Sequence, residues 1–254
     1  MTGQGTNTYV LGRGAGVVVI DPGPAIPEHL ENVQAAVRAR GHAAHVLVTH
    51  HHVDHVEAAV ELAAALGAQL AGIPHPDGPT LDRELRDGEV LESEGVAIRV
   101  LATPGHARDH ACFLWEQEDA VFAGDLVAGA GFIVIDPPDG NMADYLGSLA
   151  AVRDLPGRSG TGLAVLLPGH GPAIEDPRGY LDAYIAHRLQ REAQVLAAVP
   201  GQGGLPAEAL LPIAYSDTPE AMYPVASRSL EAHLDKLVGD GRVEFADGVY
   251  RRRG

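Results

Sequence analysis

Four short apolar runs in this chain each stop on a histidine or aspartate beside turn-forming residues. Residues 46–49 lead into His50-His51-His52-Val53-Asp54-His55, and residues 96–101 lead into Thr103-Pro104-Gly105-His106. Residues 120–123 lead into Gly124-Asp125, and residues 163–167 lead into Pro168-Gly169-His170-Gly171. One such run means little, because every strand must end on something. Four in series demand a fold that gathers the ends of distant strands, and in open α/β sheets that edge is where ligands bind.

The first run is the richest. His50 and His52 are two apart, so in extended backbone both point the same way and can reach one metal ion. Residues 56–66 are Ala-rich and read as a helix. Asp54 and His55 therefore follow a turn and can address a second ion. Imidazole and carboxylate without thiolate suit zinc, with manganese or iron as alternatives. Two blander readings compete: Asp54 as a helix N-cap, and the histidines as a surface polar cluster. His51 points the opposite way and reads as a non-ligand.

Together the motifs resemble the metallo-β-lactamase superfamily of metal-dependent hydrolases. Its HxHxDH motif matches His50, His52, Asp54 and His55, and its further ligand positions match His106, Asp125 and His170. The resemblance implies an α/β fold, a four-layer αββα sandwich. It implies one ion on His50, His52 and His106, a second on Asp54, His55 and His170, and Asp125 between them. Asp125 and the lack of a cysteine ligand look like the dinuclear hydrolase branches rather than the thiolate-using β-lactamases.

Beyond the motifs, the chain reads as two parts. Residues 1–176 carry the ligands and form the expected catalytic domain. Residues 177–254 form a helical, winged-helix-like module: a long helix over 178–199, helices over 205–212 and 223–239, and a hairpin over 241–251. The expected recognition helix mixes Arg228 and Lys236 with Glu231 and Asp235, a poor surface for phosphates. A packing or homodimer-forming role fits it better.

Several single residues carry expectations. Asp21 ends the strand over 16–20; it is either an outer acceptor that orients a metal-bound histidine or a turn-forming Asp before Pro22. His110 either lines the pocket and hydrogen-bonds a ligand, or is a solvated residue at a strand start. Tyr145 either faces the site or packs. His42 and His45 read as loop or surface histidines after a helix over 27–40. Residues 75–86 read as loop. Gly5-Thr6-Asn7-Thr8-Tyr9 lies almost at the start, where relatives carry a further edge strand; that strand is absent here or lies upstream.

Composition excludes some classes. An apolar fraction of 46% supports a packed core, and the single cysteine, Cys112, excludes an internal disulfide framework. Cys112 lies in an apolar run and reads as a buried structural thiol. No segment has the length and apolarity of a membrane span or the pattern of a secretory signal, so the cytoplasm is the default. The net charge is −16, which disfavours binding phosphate backbones through Lys and Arg.

A dinuclear centre with ions about 3.5–4 Å apart can share a water and lower its pKa toward about 7, giving a bridging hydroxide as nucleophile. Asp54 is then the catalytic proton acceptor. The C-terminal stretch, with Pro219-Glu220-Ala221, Ala226-Ser227-Arg228-Ser229-Leu230 and His233-Leu234-Asp235-Lys236-Leu237, resembles the β-lactamase-like protein 2 group. That resemblance implies a small-molecule thioester or ester substrate, or single-stranded RNA cut by an endoribonuclease. Alternatives are β-lactamase or lactonase activity, and a metal-binding regulatory protein without turnover.

Overall fold

In strand β2 (Gly14–Ile20) the side chains alternate. Val17 and Val19 join one apolar cluster, Val18 and Ile20 another, and all four are buried. A strand buried on both faces needs a layer on each side. The computed structural model, which describes residues 5–158 and 160–253, supplies them.

The first sheet has the order β1-β2-β3-β4-β5. Strand β1 (Tyr9–Leu11) runs antiparallel to β2; β3 (Gly41–Leu47), β4 (Gln69–Gly72) and β5 (Arg83–Glu84) continue in parallel. The second sheet has the order β10-β9-β8-β7-β6. It is an antiparallel meander of β6 (Val90–Ser93), β7 (Val96–Ala102), β8 (Ala111–Trp115) and β9 (Ala120–Gly124), with β10 (Val165–Pro168) parallel to β9.

Between the sheets, Val18, Ile20 and Leu47 meet Ile98, Val100, Phe113 and Phe122. Outside the first sheet, Val17, Val19 and Val46 pack on Leu30, Val33 and Val37 of α1 (Pro27–Arg40) and Leu62 of α3 (Ala59–Leu66). Outside the second, Cys112, Val121 and Leu166 pack on Tyr145, Leu149 and Val152 of α4 (Met142–Arg153) and Leu181 and Tyr184 of α5 (Pro177–Ala198). The layers are therefore helix, sheet, sheet, helix. Each fully buried Leu, Val or Phe contributes roughly 1.5–3 kcal/mol.

Strand direction positions the site. β2 and β3 are parallel, so the segments after Ile20 and Leu47 leave the first sheet at one edge. β7, β9 and β10 share one direction in the second sheet, and the segments after Ala102, Gly124 and Pro168 leave it together. These five exits carry Asp21, the histidine-rich run, His106, Asp125 and His170.

C-terminal to the sandwich, α5, α6 (Ala207–Ala214) and α7 (Tyr223–Gly239) enclose Val195, Leu210, Leu230, Leu234 and Leu237. A hairpin of β11 (Val243–Ala246) and β12 (Val249–Arg252) completes a winged-helix arrangement, with Asp247 and Gly248 both at positive φ in the turn. α5 serves both parts, since Leu181 and Tyr184 face the sandwich while Val195 and Val199 face the module.

Two expectations need correction. The 75–86 loop contains β5, whose two residues pair with Ala71 and Gly72. His45 is not a loop residue but a buried one inside β3. Helix α1 passes directly into that strand at Gly41 (φ 145°), where any Cβ would overlap Gly14 O. Among the described residues no helix is long and apolar enough to cross a membrane.

Candidate metal centre

The structure brings all seven predicted ligands together at the strand exits. His50 Nε2 and His106 Nε2 each lie 3.0 Å from His52 Nδ1. His55 Nε2 is 3.5 Å from Asp125 Oδ1 and 3.9 Å from Asp54 Oδ2. His170 Nε2 is 3.3 Å from Asp54 Oδ2 and 3.4 Å from Asp125 Oδ1, and His106 Nε2 is 3.6 Å from Asp125 Oδ2. Two triads follow, His50/His52/His106 and Asp54/His55/His170, each with donor atoms within 4.8 Å of one another. Asp125 reaches members of both.

Outer partners set the tautomers. The Thr49 hydroxyl donates to Asp21 Oδ2 (2.8 Å), so His50 Nδ1–H donates to Thr49 Oγ1 (3.0 Å). His55 Nδ1–H donates to Asp21 Oδ2 (2.8 Å), His106 Nδ1–H to Val134 O (2.8 Å) and His170 Nδ1–H to Gly5 O (3.0 Å). Each of the four imidazoles thus turns its Nε2 inward, the atom that ligates a cation when the ring is neutral. One proton on His52 Nδ1 can serve only one of the two lone pairs facing it; a cation accepts all three. His55 Nε2 and Asp125 Oδ1 are buried without a hydrogen-bond partner. Buried acceptors left unmatched cost about 1–3 kcal/mol each, and a divalent cation relieves that cost. The donor set fits metal.

The electrostatics agree. Burial, reinforced by neighbouring histidines, pushes His52 down to about 4 and His50 well below its ordinary value, so both favour the neutral, ligating form. At the other triad burial also opposes charge, but Asp125 and Asp54 outweigh it and hold His170 up at about 10. Positive charge is favoured there, as a proton or as a metal ion.

Each remaining expectation has a location. Asp21 is 2% exposed at φ 48°, and its carboxylate also accepts from Thr49 N (2.8 Å). A non-glycine residue in left-handed backbone is strained, and here it holds Thr49 and His55 at once. His110 is buried, not solvated; its Nε2 accepts from Asp125 N (3.0 Å) and its ring pairs with Thr103 Oγ1 (2.8 Å). Tyr145 packs, with its hydroxyl donating to Leu126 O (2.7 Å). Asp54 lies in α2 (Val53–Val56), whose N-cap is His52, so the capping reading falls away. His51 hydrogen-bonds Asp109 (2.9 Å) and stacks on His75 (centroids 3.8 Å apart).

Sequence reasoning missed Thr49, Asn7 and Phe132. Asn7 Nδ2 donates to Pro168 O (3.0 Å) and Gly171 O (2.8 Å), and Asn7 N to Gly169 O (2.7 Å), which clamps the turn that carries His170. Gly169 must lack a side chain, because a Cβ would lie 2.7 Å from His55 Cε1 and 2.9 Å from Asp125 Oδ1. Above the centre opens a cavity of about 1020 Å³, lined by Val53, Ala128, Phe132, Ile133 and Pro172 among others, with His52, Asp54, His106, Asp125 and His170 on its floor. Among the described residues, no Lys or Arg lines it.

Residues 1–170 match the Metallo-beta-lactamase superfamily, and residues 207–252 the Beta-lactamase associated winged helix domain. An atrochrysone carboxyl ACP thioesterase of Aspergillus chevalieri is 33% identical over 256 residues, covering 95% of this chain and 78% of its own. The beta-lactamase-like protein 2 homolog of Drosophila melanogaster is 32% identical over 269 residues, covering 97% of this chain and 86% of its own. In fold, a metallo-beta-lactamase family protein from Thermus thermophilus superposes with a TM-score of 0.79 at 24% identity, covering 98% of this chain and 94% of its own. Sandwich, winged helix and sequence kinship agree, and the chain belongs to the metallo-beta-lactamase superfamily of hydrolases.

Proposed function

We propose that the protein is a dinuclear, zinc-type hydrolase of acyl thioesters. Convergent Nε2 atoms on four imidazoles whose Nδ1 protons are fixed outward carry the metal part of this reading. His50, His52 and His106 would hold one ion, Asp54, His55 and His170 the other, with Asp125 shared. Bound divalent ions supply Lewis acidity and a water acidic enough to react near neutral pH.

The chain's own groups do the rest. Asp54 Oδ2 faces His170, which leaves Oδ1 to accept the proton of the attacking water. Asp21, Val134 O and Gly5 O accept the Nδ1 protons of His55, His106 and His170 and keep these imidazoles aimed. His110 fixes the backbone at Asp125. In the overall reaction the water oxygen bonds the acyl carbon, the C–S bond breaks, and the sulfur leaves as a thiol carrying a proton.

Cavity chemistry favours a thioester over RNA. A nucleic-acid substrate needs cations along its phosphates, whereas this lining offers apolar side chains and, among the described residues, no Lys or Arg. The name of the Aspergillus chevalieri relative points the same way. The test is release of free thiol from acyl-CoA and acyl N-acetylcysteamine thioesters by zinc- or manganese-loaded protein, with His52→Ala as the inactive control. Cleavage of labelled single-stranded RNA, a lactone or a β-lactam with no thiol release would replace this reading with one of those.

A further inference from the structure

Between β9 and α4, residues 128–134 form a wall of the cavity. Phe132, 50% exposed, and Ile133 and Val134 line the cavity, and Val53, 67% exposed, stands on its rim. Exposed apolar side chains scattered over a surface need no explanation. These two border one concave space directly above the catalytic floor.

The wall is held rather than loose. The Tyr184 hydroxyl accepts from Ala128 N (3.0 Å) and donates to Gly131 O (2.8 Å), and the Tyr180 hydroxyl donates to Ala128 O (2.7 Å). The Arg188 guanidinium, on a side chain 3% exposed, donates to Ile133 O. The Phe132 ring lies flat on His187, with centroids 3.7 Å apart and planes 11° apart, and meets Tyr184 at 5.0 Å. Every one of these partners is on α5. The same segment ends at Val134 O, the acceptor that orients His106. α5 therefore fixes an aromatic side chain against water and sets its distance from the metal-facing imidazole.

A buried cation, one buried phenol (Tyr184) and one half-buried phenol (Tyr180) spent on holding the segment of one exposed Phe are hard to account for as packing alone. Packing would turn the ring into the core, where Tyr184 and Tyr145 already fill the space. Held half in the cavity, the ring presents apolar surface to whatever enters. An apolar group recovers about 25 cal/mol for each Å² it removes from water, which a phosphate or sugar does not.

We propose that residues 128–134, backed by α5, form a subsite for an apolar acyl group, with Phe132 as its wall and His187 as the backing of that wall. This rests on the thioesterase reading and deepens it: the acyl chain would lie along Phe132 and Val53 while its carbonyl reaches the floor. The C-terminal helices would then select substrate through α5.

The experiment compares a series of acyl N-acetylcysteamine thioesters from acetyl to decanoyl, with thiol release as the readout. Wild-type kcat/KM should climb several-fold for each pair of added methylenes until the subsite is filled. Phe132→Ala should flatten that climb, lowering the octanoyl-to-acetyl ratio about tenfold or more. Phe132→Leu should keep most of the ratio, and His187→Ala should fall between. As a readout independent of turnover, a non-hydrolysable octanoyl thioether should bind the wild type about tenfold more tightly than Phe132→Ala. Equal ratios and equal thioether affinities in wild type and Phe132→Ala would overturn the subsite while leaving thioester hydrolysis standing. No thiol release from any chain length would overturn the thioesterase reading, and the thioether affinities would then decide the subsite alone.

Discussion

Replacing Asp21 by asparagine changes one oxygen to an amide nitrogen and leaves shape and burial intact. The Asp21 carboxylate accepts from Thr49 N, Thr49 Oγ1 and His55 Nδ1, each at 2.8 Å. An asparagine can keep its oxygen toward Thr49 N. Its NH2 group then faces two donors, Thr49 O–H and His55 Nδ1–H. Relief comes if His55 carries its proton on Nε2, the atom aimed at Asp125 and Asp54. Thr49 must also turn its hydroxyl, which unsettles the tautomer of His50. Loss of one such outer partner lowers metal affinity about 10- to 100-fold, or about 1.4–2.7 kcal/mol. Chelator competition with cobalt or zinc measures this, and nitrogen NMR of the histidine rings reports the tautomer. The loss should be greater for the ion on the Asp54/His55/His170 side. A folded Asp21→Asn protein that binds both ions as tightly as wild type would refute the tautomer argument.

Other outcomes follow from single contacts. Asn7→Ala removes the side-chain bonds to Pro168 O and Gly171 O from the His170 turn and leaves the backbone bond to Gly169; the loss should cost about 1–3 kcal/mol in urea unfolding. Burial pushes the Cys112 thiol up to about 12, so it should be inert to thiol reagents in the native protein and react once unfolded. Burial, with Arg188 and Arg191 nearby, lowers His233 to about 3, and both its ring nitrogens lack hydrogen-bond partners. Folded His233 is neutral, whereas the unfolded residue gains a proton below about 6.5. Stability should therefore fall as pH drops from about 6.5 toward 3, by up to roughly 1.4 kcal/mol per unit from this residue. His233→Leu should show a shallower fall between pH 7 and 4.5; an unchanged slope would contradict the assignment.

The helices over 27–40 and 223–239 are legible in the sequence because each shows an apolar face with the helical period. The ligands are legible because each sits beside a turn former at the end of an apolar run. What fixes those ligands is not. Val134 O, Gly5 O and Pro168 O are backbone groups, identical in every residue, and no local pattern marks which distant histidine or asparagine they meet. β5 escapes notice because two residues carry no period. His45 reads as a turn residue because helix and strand are ordinarily joined by a loop, and only Gly41 in its positive-φ backbone lets α1 pass straight into β3 here. Phe132 reads as one more apolar residue of a glycine-rich run, and only the fold sets α5 behind it.

Elemental analysis of the purified, reloaded protein tests the central claim most directly. Seven side chains arranged as two triads around Asp125 predict about two transition-metal ions per chain, with His52→Ala losing at least one of them. Less than one ion per chain after reloading, in protein that remains folded, would contradict the account.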